Sequence, residues 1–410
     1  NPGDFRLQAL EQPGNKILVD GNTAGALGAL FGGLQYAAWY PITPATGLAE
    51  ALNEYIPKLR TDPQTGTTNC VVVQAEDELA AIGMVVGAGW AGLRSMTSTS
   101  GPGLCLMAEY LGLAYFAEIP IVVWDVQRVG PSTGLPTHTS QGDLTFTYFI
   151  SHGDKDMIIL LPGDVEECFE FGWRALDIAE QLQTPVIVLS DLELGMNIWE
   201  ANPFAYPEQK MERGKVLWEK DLETLIKKSG QWGRYQDIDG DGIPYRTIPG
   251  NLHEKAAYFT RGTGHDDFAH YSEENRDWEN NLLRLKKKIE SAKNLIPPAE
   301  LVVETDSRIG LIAYGSTKMS AREAVDMLNH NGRQVDFLRI KALPFTDEVK
   351  KFLESHDRIY IAEANRDGQM KQIMSVNFPE HAAAFRSIAR CDGLSLSAEW
   401  IVNQIEKMEG

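Results

Sequence analysis

Short apolar runs rich in β-branched residues alternate with stretches of small, helix-forming residues from residue 16 to about 200, and few folds tolerate that pattern. CVVVQAE (70–76), IPIVVWDVQR (119–128), MIILLPG (157–163) and TPVIVLSD (184–191) lack the in–out alternation of a half-exposed strand. Strands that are apolar on both faces need helices above and below them, as in the parallel sheet of an α/β protein. ILVD (17–20), QYAAWYP (35–41) and SMTSTSGPG (95–103) read as further strands of the same sheet. GNTAGALGALFGG (21–33), GLAEALNEYIPKL (47–59), DELAAIGMVVGAGWAG (77–92), LCLMAEYLGLAYF (104–116) and VEECFEFGWRALDIAEQL (165–182) read as the helices between them.

The pattern breaks near residue 200. Residues 201–305 are charged and rich in Trp and Tyr, and read as an irregular insert ending in the helix ENNLLRLKKKIESAK (279–293). A second, smaller α/β unit follows over 306–410, with strands GLIAYG (310–315), QVDFLRI (334–340) and RIYIAEA (358–364) and helices at 318–330, 347–355 and 368–376. The first 15 residues, NPGDFRLQALEQPGN, read as a linker or extension ahead of a domain core spanning 16–200. Lys+Arg 38 against Asp+Glu 57 gives a net charge of −19, which argues against nucleic acid and anionic membrane as partners. Cys70, Cys105, Cys168 and Cys391 never form CxxC, so a disulfide framework or a metal cluster within this chain is not expected. The absence of a leader pattern and of any membrane-length apolar run makes the cytoplasm the expected compartment.

Three motifs fall where the first unit's strands should end. In AWYPITPATG (38–47) two prolines stiffen the loop and delay the next helix to about Ala45. QAEDE (74–78) places Glu76 at a strand end that opens a helix, and TSTSGPG (97–103) ends a strand in a Gly/Pro loop. In a parallel sheet such loops share one edge, the usual position of a ligand site. Each residue also has a plain structural role open to it: helix capping for Glu76, an ST-turn or cap for Thr43, a surface ion pair for Arg128.

Taken with RVGPSTGLPTHTSQGDL (128–144), these motifs make the chain resemble the α subunit of the 2-oxoacid:ferredoxin oxidoreductases. The terminal LPF (343–345) and EANRDGQ (363–369) patterns extend the resemblance over nearly the whole chain. It implies a thiamine diphosphate (TPP) pyrimidine-binding domain followed by a transketolase-C-like domain. It further implies oxidative decarboxylation of a 2-oxoacid with coenzyme A, the electrons passing through an iron–sulfur cluster to ferredoxin. Glu76 matches the family's activating glutamate, whose carboxylate bonds the pyrimidine N1′ and so prepares the cofactor's amino group to remove the thiazolium proton. Thr43 and Arg128 match residues that hold the substrate, the guanidinium being suited to a carboxylate in two-point pairing. His138 and Thr139 are candidates for the far end of the substrate, and Tyr40, Pro41, Ile42, Thr99, Ser100 and Gly101 for the cofactor ring. 2-Oxoglutarate is the expected substrate; pyruvate and branched-chain 2-oxoacids remain open, as does a non-catalytic subunit that binds a partner.

Two lookalikes lie in the insert. GDG (240–242) follows the polar RYQDID rather than a buried strand, so the Mg²⁺–diphosphate half of the TPP site is expected on a β subunit, together with the [4Fe–4S] cluster. DIDGDG places Asp237, Asp239 and Asp241 at the first positions of a calcium loop, but Ile248 stands where the closing acid belongs. A polar turn is the expectation, a cation loop the alternative. A β subunit, an optional γ domain for which NPGDFR is a candidate junction, ferredoxin, and a dimer of heterodimers complete the implied partners.

Overall fold

The computed structural model describes residues 14–208, 210–303 and 307–410. Residues 1–13 of the expected linker, and the junction at 304–306 where the second unit was expected to begin, lie outside the described residues. The strands in chain order are β1 (Ile17–Val19), β2 (Tyr36–Trp39), β3 (Val71–Gln74), β4 (Ser95–Thr99), β5 (Ile121–Gln127), β6 (Ile158–Leu160), β7 (Pro185–Asp191) and β8 (Trp199–Ala201). They continue with β9 (Glu300–Val302), β10 (Ile309–Tyr314), β11 (Asp336–Ile340), β12 (Ala342–Leu343), β13 (Arg358–Glu363) and β14 (Phe385–Ala389).

The larger sheet runs β12-β6-β7-β5-β4-β2-β3, parallel throughout except for β12. β5 and β7 are buried at every position, as their unbroken apolar runs require. The small-residue helix Gly21–Phe31 lies against Val165–Leu182 with almost no space between backbones: a Cβ at Gly172 would stand 2.5 Å from the Gly25 carbonyl oxygen. The second sheet, β14-β13-β10-β11-β9, carries its own apolar core around Leu311, Phe337, Ile388 and Ile401.

Three features depart from the sequence reading. ILVD does not enter the large sheet; β1 pairs antiparallel with β8 in a separate two-stranded ribbon, which leaves Leu18 74% exposed. The second sheet takes in β9, upstream of the boundary expected at 306, and β14, which had not been expected as a strand. Finally β12, from the LPF segment of the second unit, pairs with β6 of the first. The two units are thereby stitched through one sheet. A buried ion pair reinforces the seam, where Arg339 of β11 meets Glu167 near the start of Val165–Leu182.

The insert is irregular but firmly anchored. Its helix Asn275–Ser291 directs Arg284 and Lys288 at Glu118, whose carboxylate is fully buried in the first unit, at 2.5 and 2.9 Å. Those cations hold the Glu118 carboxyl down at about 2 even though burial alone would raise it.

Candidate active site

The parallel order puts the ends of β2, β3, β4, β5 and β7 on one edge, so YPITP, QAEDE, TSTSGPG and Arg128 converge there as the sequence predicts. At the end of β3 the capping alternative for Glu76 is removed by its neighbour. Asp77 is the N-cap of Glu78–Trp90 and accepts the Ala80 N–H at 2.7 Å. Glu76 is exposed, and among the described residues no hydrogen bond or ion pair engages its carboxylate. Glu78 turns inward instead, buried against Gly103.

In YPITP the hydroxyl committed to the turn is Thr46, bonded to Ile42 N at 3.1 Å, and not Thr43. Tyr40 and Pro41 are exposed, Ile42 and Thr43 half-buried. Thr43 lines a cavity of about 480 Å³ with Asp20, Asn22 and Glu50. Its carbonyl receives Arg128 Nη1 at 2.6 Å, across the end of the intervening β4. Arg128 is only 7% exposed and its Nε has no partner among the described residues, so the surface ion-pair role does not apply.

At the end of β4, Thr99 and Ser100 are fully buried, and the Ser100 hydroxyl is without a hydrogen-bond partner among the described residues. The need for Gly101 comes from the protein itself: a Cβ there would lie 2.7 Å from both Asp143 oxygens. A Cβ at Gly103 would likewise overlap Thr99 Oγ1.

A cleft of about 770 Å³ opens between the two units, with Arg128, Gly101, Thr139 and Asp143 on one wall and Asn365, Arg366 and Arg390 on the other. Thr139 is buried, and its hydroxyl accepts Glu193 N at 3.3 Å. His138 is half-buried and packs over Gly393 of the second unit. Sequence reasoning missed the carboxyl pair beneath this cleft. Asp125 of β5 is wholly buried with both oxygens unpartnered among the described residues, and Asp143 stands close by. Burial, joined by the charge of Asp143, drives Asp125 well above the ordinary range, and burial raises Asp143 to about 6 against the opposing pull of Arg128. An Asp inside the run IVVWDVQ, where both faces are covered, was the available signal.

The DIDGDG carboxylates are committed to lysines. Lys215 pairs with Asp239 at 2.7 Å and Asp241 at 2.9 Å, while Lys287 reaches Asp237 at 3.3 Å. Asp237 and Asp241 also accept the Gly242 and Ile243 amides, as turn residues do. Among the described residues no cluster of His, Cys, Asp or Glu is arranged to hold a metal ion, and no helix is long and apolar enough to cross a membrane.

A parallel sheet whose carboxyl edge gathers these loops defines the class of the larger unit, an α/β domain with its ligand site at that edge. The family model described as pyruvate flavodoxin/ferredoxin oxidoreductase, thiamine diP-bdg, matches residues 27–229. Over 396 residues the chain is 32% identical to the 2-oxoglutarate synthase subunit KorA of Methanothermobacter thermautotrophicus, covering 96% of this chain and 99% of the relative. It is 35% identical over 383 residues to the 2-oxoacid:ferredoxin oxidoreductase subunit alpha of Saccharolobus solfataricus, covering 91% of this chain but 59% of the relative's length. A solved structure superposes with a TM-score of 0.88 at 32% identity, covering 98% of this chain and 67% of that one. It is the 2-oxoglutarate:ferredoxin oxidoreductase from Magnetococcus marinus with 2-oxoglutarate, coenzyme A and succinyl-CoA bound. The chain belongs to the α-subunit family of the 2-oxoacid:ferredoxin oxidoreductases.

Proposed function

We propose that this chain is the pyrimidine-side subunit of a TPP-dependent complex that oxidatively decarboxylates a 2-oxoacid, 2-oxoglutarate first, and delivers the acyl group to coenzyme A. The observation that carries the reading is the division of labour at the end of β3. Asp77 caps the helix, and the Glu76 carboxylate is left free on the sheet edge that also carries Thr43 and Arg128. The exposure of Glu76 in the single chain fits a site closed by a second subunit, which would supply the Mg²⁺–diphosphate half and the iron–sulfur cluster.

The residues present suit the cofactor. A carboxylate at Glu76 and a buried hydroxyl at Ser100, both without partners among the described residues, lie on either side of the end of β2. When bound, TPP supplies the carbon nucleophile and the electron sink. Glu76 would accept a hydrogen bond from the pyrimidine N1′ and hold that proton in place. Tyr40, Pro41 and Ile42 would flank the ring, with Thr99, Ser100 and Gly101 behind it. Arg128, already oriented by the Thr43 carbonyl, would take the C1 carboxylate of the substrate with its remaining N–H groups, and the Thr43 hydroxyl would meet the adjacent oxygen. Thr139 on the cleft wall, with His138 beside it in the chain, would face the distal end. The choice of 2-oxoglutarate over pyruvate is supported by the names of two of the relatives.

The test is co-expression with the partner subunit, thiochrome fluorescence for bound TPP, and viologen reduction with 2-oxoglutarate, pyruvate and branched-chain 2-oxoacids. Coenzyme A-dependent turnover that is fastest with 2-oxoglutarate is expected. Bound TPP without turnover of any 2-oxoacid would leave the chain a non-catalytic partner.

A further inference from the structure

The loop that follows Arg128 is fastened mainly to the second unit. Gln141, 1% exposed, sits between Thr139 and Asp143 and uses every polar group it has. Its Oε1 accepts Ala364 N at 2.9 Å and its Nε2 donates to the Tyr314 carbonyl at 2.9 Å. Its backbone N–H donates to Ala364 O at 2.8 Å, and its own carbonyl accepts Asn365 Nδ2 at 3.0 Å. Gln369 repeats the arrangement at the next turn, accepting Thr145 N at 2.8 Å and donating to Gly142 O at 2.7 Å.

From this clasp hydrogen bonds run to Val129 and Gln127, the residues on either side of Arg128. The loop closes on itself through Val129 N to His138 O at 3.1 Å, and Asp143 N returns to β5 through Gln127 Oε1 at 3.0 Å. Gln127 is in turn held by Ser190 O of β7 at 3.0 Å. A wholly buried amide bonded at both ends favours one arrangement, and its loss strands Ala364 N and leaves the Tyr314 carbonyl to the Thr317 hydroxyl alone.

We propose that Gln141 is a positioning residue through which the second unit holds the Arg128 loop in register, so that this domain takes part in substrate binding rather than in packing alone. The proposal rests on the substrate role given to Arg128 above. It predicts that damage to the clasp acts on the affinity for the 2-oxoacid before it acts on the chemistry or on TPP retention, because Glu76 hangs on β3 and is not part of the network.

The experiment uses the complex assembled with its partner subunit and two variants, Gln141→Leu and the milder Gln369→Ala. Hydrogen–deuterium exchange over 128–146 should quicken about tenfold or more in both. KM for the 2-oxoacid should rise about tenfold, with kcat within about threefold and TPP content unchanged, the pattern of lost ground-state binding. Unchanged exchange and KM in Gln369→Ala would overturn the proposal. So would a parallel loss of kcat and bound TPP, the mark of general unfolding. If Gln141→Leu fails to assemble, Gln369→Ala decides. The wild-type complex failing to turn over any 2-oxoacid would sink the functional reading instead, and the exchange data would still decide whether the clasp holds the loop.

Discussion

Arg128 Nη1 donates to the carbonyl oxygen of Thr43 at 2.6 Å, joining two loops that lie 85 residues apart in sequence and on either side of β4. The bond fixes one arm of the guanidinium and leaves the rest of the fork to a ligand. Arg128→Lys keeps the charge but lacks the planar fork that pairs a carboxylate at two points while another arm holds the carbonyl. A hydrogen bond to a charged group is worth about 1.5–3 kcal/mol, so KM for the 2-oxoacid should rise about tenfold to a hundredfold. Steady-state kinetics of the assembled complex checks this, and a KM within twofold of the wild type would refute it.

Glu76→Gln should separate stability from activity. The carboxylate is exposed and unengaged among the described residues, so thermal unfolding of the single chain should change by no more than about 0.5 kcal/mol. Turnover in the complex should fall about 10²- to 10⁴-fold, the usual worth of a positioned proton-handling group. Retention of turnover within a few-fold would remove the assignment.

The Arg339–Glu167 pair links the two units in a buried seam, with Lys341 adding a contact at 2.9 Å. Burial works against the charged form of Glu167, but Arg339 and Lys341 outweigh it and pull the carboxyl from 4.5 down to about 2. A depressed folded-state value means stability that is fully present above pH 4.5 and lost as pH falls through about 2. Glu167→Gln should therefore cost about 3–5 kcal/mol at neutral pH, the usual result of breaking a buried pair. The deficit against wild type should shrink between pH 4.5 and 2 in chemical denaturation. A deficit constant across that range would show that the pair contributes nothing to acid stability.

The large sheet was legible because β5 and β7 are apolar at nearly every position and bounded by Pro or Gly. The shared edge of the site followed from that order, given that every strand but β12 is parallel. Most of what escaped was short or cross-domain; the exception is β14, five residues reading FRSIA at the edge of the second sheet. β1, β8 and β9 have three residues each and β12 two, too few for any periodicity, and their partners lie far along the chain. Gln141 was unreadable for a related reason. In THTSQGDL it looks like one polar loop residue among many, and only the arrival of Ala364 and Tyr314 from the second unit makes it buried. Asp77 rather than Glu76 as the helix cap was a local choice that the spacing QAEDE left open.

Asp143 and Asp125 are the remaining tension in the molecule, two carboxyls buried together beneath the cleft with Arg128 as the cation that most relieves Asp143. Asp143 is raised from 3.8 to about 6 because burial outweighs that cation. For an acid raised in the folded state the sign is the reverse of Glu167: folding holds the proton, and stability falls as pH rises from 3.8 through about 6. Asp143→Asn removes the charge and supplies an amide donor near Asp125, whose oxygens are unpartnered among the described residues. The variant should gain stability over the wild type on going from pH 4 to pH 8, with most of the change complete by about pH 7 and a size of about 1–3 kcal/mol, typical of satisfying one buried polar group. Parallel thermal melts of the two chains across that range measure it. A wild-type advantage that grows with pH would mean that the ionised Asp143 is held by Arg128 more strongly than burial opposes it, and that Asp143 is a charged anchor rather than a protonated carboxyl.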